Sequence, residues 1–180
     1  MEDKSLTPGP LEQFKAILAL PFVVLIVVPT SIIWDSYRLP IDPIGTLPST
    51  VAIALGVLFL LLGLPLFVQA IRLFILIGKG TLAPWKPTRK LVVKSLYRHM
   101  RNPMITGVIL ILLAESLLLK SSGILLWGLF FFLLNHLYFR LKEEPDLLKR
   151  FGDEYQEYKT NVPRWIPRFP GWHPESSQSS

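Results

Sequence analysis

Gly123 to Gly152 reads GILLWGLFFFLLNHLYFRLKEEPDLLKRFG, an apolar run that passes without a break into a charged one. On a helix at about 100° per residue, His136, Arg140 and Glu143 fall at roughly 0°, 40° and −20° and share one face. The spacing predicts one long helix whose apolar half lies in hydrocarbon and whose ionisable stripe emerges into water, with the other segments closing a pocket over the stripe.

Composition agrees with a membrane setting. The chain has 180 residues, 51% of them hydrophobic, and a mean hydropathy of +0.43, too apolar for an ordinary soluble domain and too short for several domains. Lys and Arg outnumber Asp and Glu by 19 to 13. Seven of these cations (Lys79, Lys86, Arg89, Lys90, Lys94, Arg98, Arg101) lie in one acid-free stretch between apolar runs. Beside membrane spans, such a block marks the cytoplasmic side and an anionic lipid surface or ligand, and no nucleic-acid role is indicated. Cysteine is absent, which excludes disulfides and thiolate metal sites.

Upstream, Phe14 to Trp34 and Val51 to Ile77 are each long enough, at about 1.5 Å per residue, to cross a core of about 30 Å. Pro21 and Pro29 are expected to kink the first of these or open it locally. In the second, Ala52, Gly56 and Gly63 form a small-residue stripe for close helix packing. Met104 to Leu119 is a third apolar helix, and Lys120 to Gly123 turns it into the long helix as an antiparallel hairpin, with Glu115 pairing with Lys120 or snorkelling near the far interface. The expected fold is therefore all-α. It has four transmembrane helices, the last two a hairpin, a cytoplasmic interfacial loop and a C-terminal amphipathic helix over Asp153 to Lys159. Residues 1–12 read as a tail, 13–77 as two spans, 78–170 as the functional core and 171–180 as a disordered tail. Loop charge puts both termini in the cytoplasm.

The histidines lack metalloprotease spacing, no phosphate-binding glycine motif is present, and no metal site is expected. What remains is a polar constellation: Arg89, Lys90, Tyr97, Arg98, His99, Arg101 and Asn102 from the loop, with His136, Arg140, Glu143 and Glu144 from the helix. From the residues alone, two readings stand side by side. Glu143 and Glu144 either form a salt-bridged seam with the basic loop, or line a site for a ligand that carries both cationic and anionic groups.

Residues 91–119, LVVKSLYRHMRNPMITGVILILLAESLLL, and 143–167, EEPDLLKRFGDEYQEYKTNVPRWIP, carry further information. Their order and spacing resemble the isoprenylcysteine carboxyl methyltransferase family and its relatives among phospholipid methyltransferases. Those proteins have an R-x-P-x-Y-x-G element opening one helix, then E-E-x-x-L, F-G-x-x-Y-x-x-Y and V-P. The resemblance covers about Gly80 to Pro167.

It implies S-adenosylmethionine as cofactor on the cytoplasmic side. By position, Arg89, Lys90, Leu91, Val92, Tyr97 and Arg101 would line it, with Asn102, Pro103, Met104 and Ile105 from the first element and Glu143 and Glu144 from the second. Ile105 stands where the family usually has Tyr, and Asn102 where many members have His. Eukaryotic members carry a substrate-binding arginine four residues before the first Glu; here that place is Phe139, and Arg140 is next to it. Arg140 is thus expected to bind the acceptor, with His136 or Glu144 as the nearest base were the acceptor an amine. The implied acceptor is a lipophilic small molecule or a prenylated cysteine carboxylate, reached among membrane lipids; a phospholipid amine or a small thiol is the alternative. A third reading is a non-catalytic lipid-binding or scaffold protein that kept the fold.

Overall fold

The computed structural model describes residues 19–36, 44–77, 91 and 93–173, with 74–77 as backbone only. Every regular element among the described residues is helical. Helix α1 (residues 19–36) contains a π-turn, Val23–Val27, before Val28–Ser36. It is followed by α2 (Ser49–Ile77), a 3-10 turn (Ser95–Arg98) and α3 (Pro103–Leu118). Then α4 (Ser122–Tyr138) runs through a second π-turn, Phe139–Glu143, into α5 (Glu144–Phe151), and α6 (Asp153–Asn161) follows.

Among the described residues, two helices are long and apolar enough to cross a membrane: Ser49–Leu73 within α2, and Ser122–Phe151 across α4, its π-turn and α5. The apolar segments Ala19–Asp35 and Pro103–Leu118 are shorter. Leu61 and Leu62 on α2, and Leu126, Leu133, Leu134 and Leu137 on α4, are exposed, an apolar surface that suits lipid better than water.

The small-residue stripe works as its spacing suggests. Ala52 is fully buried, and Cβ atoms placed on Gly56 and Gly63 would lie 2.7 Å from Leu118 and Leu110 of α3. From the other side, Gly107 approaches so closely that a Cβ would sit 2.8 Å from the backbone nitrogen of Phe67. Backbone cannot withdraw as a side-chain tip can, so this position is restricted to glycine by space. Val24, Val108, Leu112, Ile124 and Phe131 then join α1, α3 and α4 in one apolar cluster.

The proline expectation for α1 is met by local opening. Pro29 has no N–H to offer the carbonyl four residues back, and the preceding Val28 N–H bonds to Val23 O, which widens the helix by one residue. Val24 O, which Val28 would normally hold, instead accepts from Trp127 Nε1 at 3.1 Å.

Between α3 and α4, Lys120 adopts φ +50° and Ser121 caps α4. Lys120 does not pair with Glu115: its Nζ donates to Leu47 O at 3.2 Å and to Ser49 Oγ at 2.9 Å. The segment before α2 already offers these oxygens to the turn, and Glu115 Oε2 is left buried without a hydrogen-bond partner among the described residues. Ser122 Oγ accepts from Ile44 N at 3.1 Å, so residues 44–49 and the turn occupy the end of the bundle away from residues 91–102.

At the other end, Gly152 separates α5 from α6 with φ +53° and ψ −127°, a conformation open to glycine and costly for a Cβ. α6 ends at Asn161, two residues before Pro163. Residues 162–173 form a strap that runs back over residues 98–102. Arg101 N donates to Pro163 O, Arg168 N to His99 O and Trp172 N to Arg98 O, each at 2.9 Å. Of the tail expected over residues 171–180, Trp172 packs on Tyr158 and His173 hydrogen-bonds Arg98, and residues 174–180 lie outside the described residues.

Candidate active site

Where the strap, α5 and α6 meet the start of α3, a cavity of about 160 Å³ opens. It is lined by Leu91, Tyr97, Arg101, Asn102, Phe139, Glu143, Glu144, Leu147, Tyr155 and Tyr158. Tyr155 and Tyr158, three apart on α6, share its buried face and pack with Val162 against Leu91 and Leu147. The Tyr158 hydroxyl donates to Tyr97 O at 2.8 Å, which ties α6 to the 3-10 turn.

The two adjacent glutamates have opposite fates. Glu144 is 6% exposed and fully engaged. Its Oε1 accepts from Arg101 Nη1 at 2.6 Å and from Arg164 Nε at 2.9 Å, with Arg164 Nη2 as a further donor, while Oε2 faces Lys159 Nζ at 3.1 Å. Burial opposes its charge, but Lys159, Arg101 and Arg164 outweigh burial and hold its pKa below the usual carboxylate value. Glu143 faces the cavity, with no hydrogen bond or ion pair among the described residues. It lies beyond the apolar run that ends at Tyr138, and burial, then repulsion from Glu144, push its pKa up to about 6. Burial also keeps the Tyr97, Tyr155 and Tyr158 phenols above their ordinary value. Arg101 Nε is buried with no hydrogen-bond partner among the described residues.

The shared face expected for His136, Arg140 and Glu143 does not form. The Glu144 N–H bonds to Phe139 O, five residues back, and Pro145 brings no N–H for Leu141 O, so the helix is no longer a 100° spiral across this stretch. Phe139 and Glu143 line the cavity; Arg140 is exposed and does not. His136 is also outside the lining, stacked on Trp165 with centroids 6.3 Å apart. Its Nδ1 lies 3.3 Å from Trp165 Nε1 and 3.4 Å from Arg164 Nη1. Both neighbours are donors only, so Nδ1 acts as an acceptor.

The remaining expected residues divide. Leu91, Tyr97, Arg101, Asn102, Glu143 and Glu144 come together around the cavity. Pro103 is buried at the first turn of α3, Met104 is half-buried, and Ile105 packs against the apolar cluster; none of the three lines the cavity. Arg89, Lys90 and Val92 lie outside the described residues. Sequence reasoning missed Phe139, Leu147, Tyr155 and Tyr158 as lining residues, although the two tyrosines at i, i+3 were a visible signal.

Comparison with known proteins gives this geometry a family. Residues 51–154 match the phospholipid methyltransferase family. The chain belongs to that family. Membership carries methyl transfer from S-adenosylmethionine at a membrane as the general activity. An uncharacterised protein of Haemophilus influenzae is 40% identical over 63 residues, which are 35% of this chain and the whole of that protein. The family match stops before the strap of residues 162–173. The donor set fits the cofactor's groups: a carboxylate for an ammonium or ribose hydroxyls and a buried arginine N–H, both without a hydrogen-bond partner among the described residues, and aromatic walls.

Proposed function

We propose that this protein methylates a lipophilic acceptor that reaches the cavity from the membrane, with S-adenosylmethionine as donor. The observation that carries the reading is Glu143, a half-buried carboxylate at the cavity with no ion-pair partner among the described residues, beside a glutamate held by three cations. Burying an ionised group with no partner is costly, and a cationic or hydroxyl-rich ligand removes that cost. When bound, S-adenosylmethionine supplies a methyl group on a sulfonium. Glu143 would accept from its amino group or ribose, Arg101 and Asn102 would serve its carboxylate, and Tyr97, Phe139, Leu147, Tyr155 and Tyr158 would keep water out.

For the acceptor, a prenylated cysteine carboxylate needs no base. A phospholipid amine is the second reading, favoured by Arg140, the residue expected to bind the acceptor, standing clear of the cavity. Incubation with labelled donor and each acceptor class separates these. Four crossings by α1 to α4, with the basic segment and both termini cytoplasmic, belong to the same reading; cytoplasmic labelling of residues 35–48 by an impermeant reagent would contradict it.

The test of the central claim is S-adenosylmethionine affinity of the detergent-purified protein. Glu143→Ala should abolish or strongly weaken it. Unchanged affinity in folded protein removes Glu143 from the site and the proposal with it.

A further inference from the structure

The strap of residues 162–173 contains four large apolar side chains, and the fold treats them in two ways. Trp165 turns inward, its ring 5.2 Å from Phe132 and 5.9 Å from Phe139, and Trp172 packs on Tyr158. Ile166 and Phe169 turn outward, 75% and 79% exposed. This exposure is enforced. The strap is tied to residues 98–102 by backbone hydrogen bonds on both sides of the pair, and to α5 by Arg164 on Glu144, so neither side chain can fold away without breaking them.

The depth of the strap indicates what covers this pair. Phe132, which Trp165 touches, lies six residues before the end of α4, about 9 Å along the axis by helical rise. Leu133, Leu134 and Leu137 of that same stretch are the exposed apolar face of α4. Ile166 adjoins Trp165 at this level, so its apolar tip continues the surface that α4 offers to lipid. Apart from Arg164, which is taken by Glu144, the strap carries Arg168 and His173 and no acid, a charge pattern suited to anionic headgroups just above.

We infer that the strap is a membrane-interface anchor, which inserts Ile166 and Phe169 into the acyl boundary of an anionic leaflet and sets the depth of the cavity. Its occupant is lipid. The inference goes beyond methyl transfer and does not depend on it.

The chain has no cysteine, so single cysteines can be labelled cleanly. An environment-sensitive fluorophore is placed at Ile166→Cys and, separately, at Phe169→Cys, in the full chain reconstituted into vesicles of mixed phosphatidylcholine and phosphatidylglycerol. Leu137→Cys on the exposed face of α4 and Gln156→Cys on exposed α6 serve as references, and each variant is first shown to elute as one species. The expected result is quenching by chain-brominated lipid as strong at 166 and 169 as at 137, several-fold stronger than at 156, with weak quenching by aqueous iodide. Iodide quenching equal to that at 156 would overturn the anchor. Protection from both quenchers would overturn it too, by showing that protein covers the pair. Absence of lipid quenching at 137 as well would remove the membrane premise and the anchor together.

Discussion

The two π-turns share a cause and differ in use. A proline stands two residues after the last residue of each turn: Pro29 after Val23–Val27, and Pro145 after Phe139–Glu143. In each, the residue before proline bonds five residues back, because the proline cannot support regular pairing around it. In α1 the released carbonyl is taken by Trp127, and the irregularity is absorbed into packing. Beyond α4 the second π-turn changes which residues meet the cavity, Glu143 turning in and Arg140 out. A backbone defect becomes functional when the side chains around it are ionisable and a cavity lies beside it.

That contrast can be broken at several points. The largest effect belongs to Glu143, since a hydrogen bond to a charged group contributes about 1.5–3 kcal/mol; Glu143→Ala should weaken cofactor binding roughly 10- to 100-fold by calorimetry. Removing one of several partners of a buried carboxylate costs less than the full 3–5 kcal/mol of breaking an isolated pair. Arg164→Ala should therefore destabilise by about 2–3 kcal/mol, seen as a lower thermal midpoint, because Arg101 and Lys159 remain on Glu144.

Pro145→Ala restores the missing N–H and should let the helix rewind, weakening cofactor binding by about tenfold while the protein stays folded. Pro29→Ala at the other π-turn should leave that affinity unchanged. Equal affinity loss in both would mean that the difference drawn between the two turns is wrong.

The smallest effect is in pH. Glu143 is raised to about 6, so between its unfolded value and about 6 the folded state holds more protons than the unfolded chain. Its ionisation therefore works against folding above about pH 6 and has no effect well below its unfolded pKa. Glu144, held low, contributes stability above its unfolded pKa and loses it as pH falls through the folded value. Melting curves at about pH 8 should show Glu143→Gln neutral to stabilising and Glu144→Gln destabilising. Cofactor affinity should fall as pH drops through about 6, when Glu143 is protonated.

The sequence read Pro29 as an opening in a helix and overlooked Pro145, because the charged run after Tyr138 looked like regular helix. The phase computed across that run was correct for a regular helix and failed at the π-turn. The same run did place the carboxylates near Tyr97 and Arg101, through motifs whose spacing survives a one-residue widening. Gly107, which the sequence pattern did not single out, has its reason in the Phe67 backbone of another helix.

By itself, the sequence determined the helical class, the apolar lengths, the small-residue stripe that faces α3 and the polar segments that gather at one end, since these follow from periodicity and composition along the chain. Only the tertiary structure decided which of two adjacent glutamates stays unpaired, which of four apolar strap residues turn outward, and that Arg140 leaves the cavity. The first two depend on partners 20 or more residues away, such as Arg101 and Arg164 around Glu144, and on backbone hydrogen bonds that local pattern does not encode; the third follows from the π-turn before Pro145.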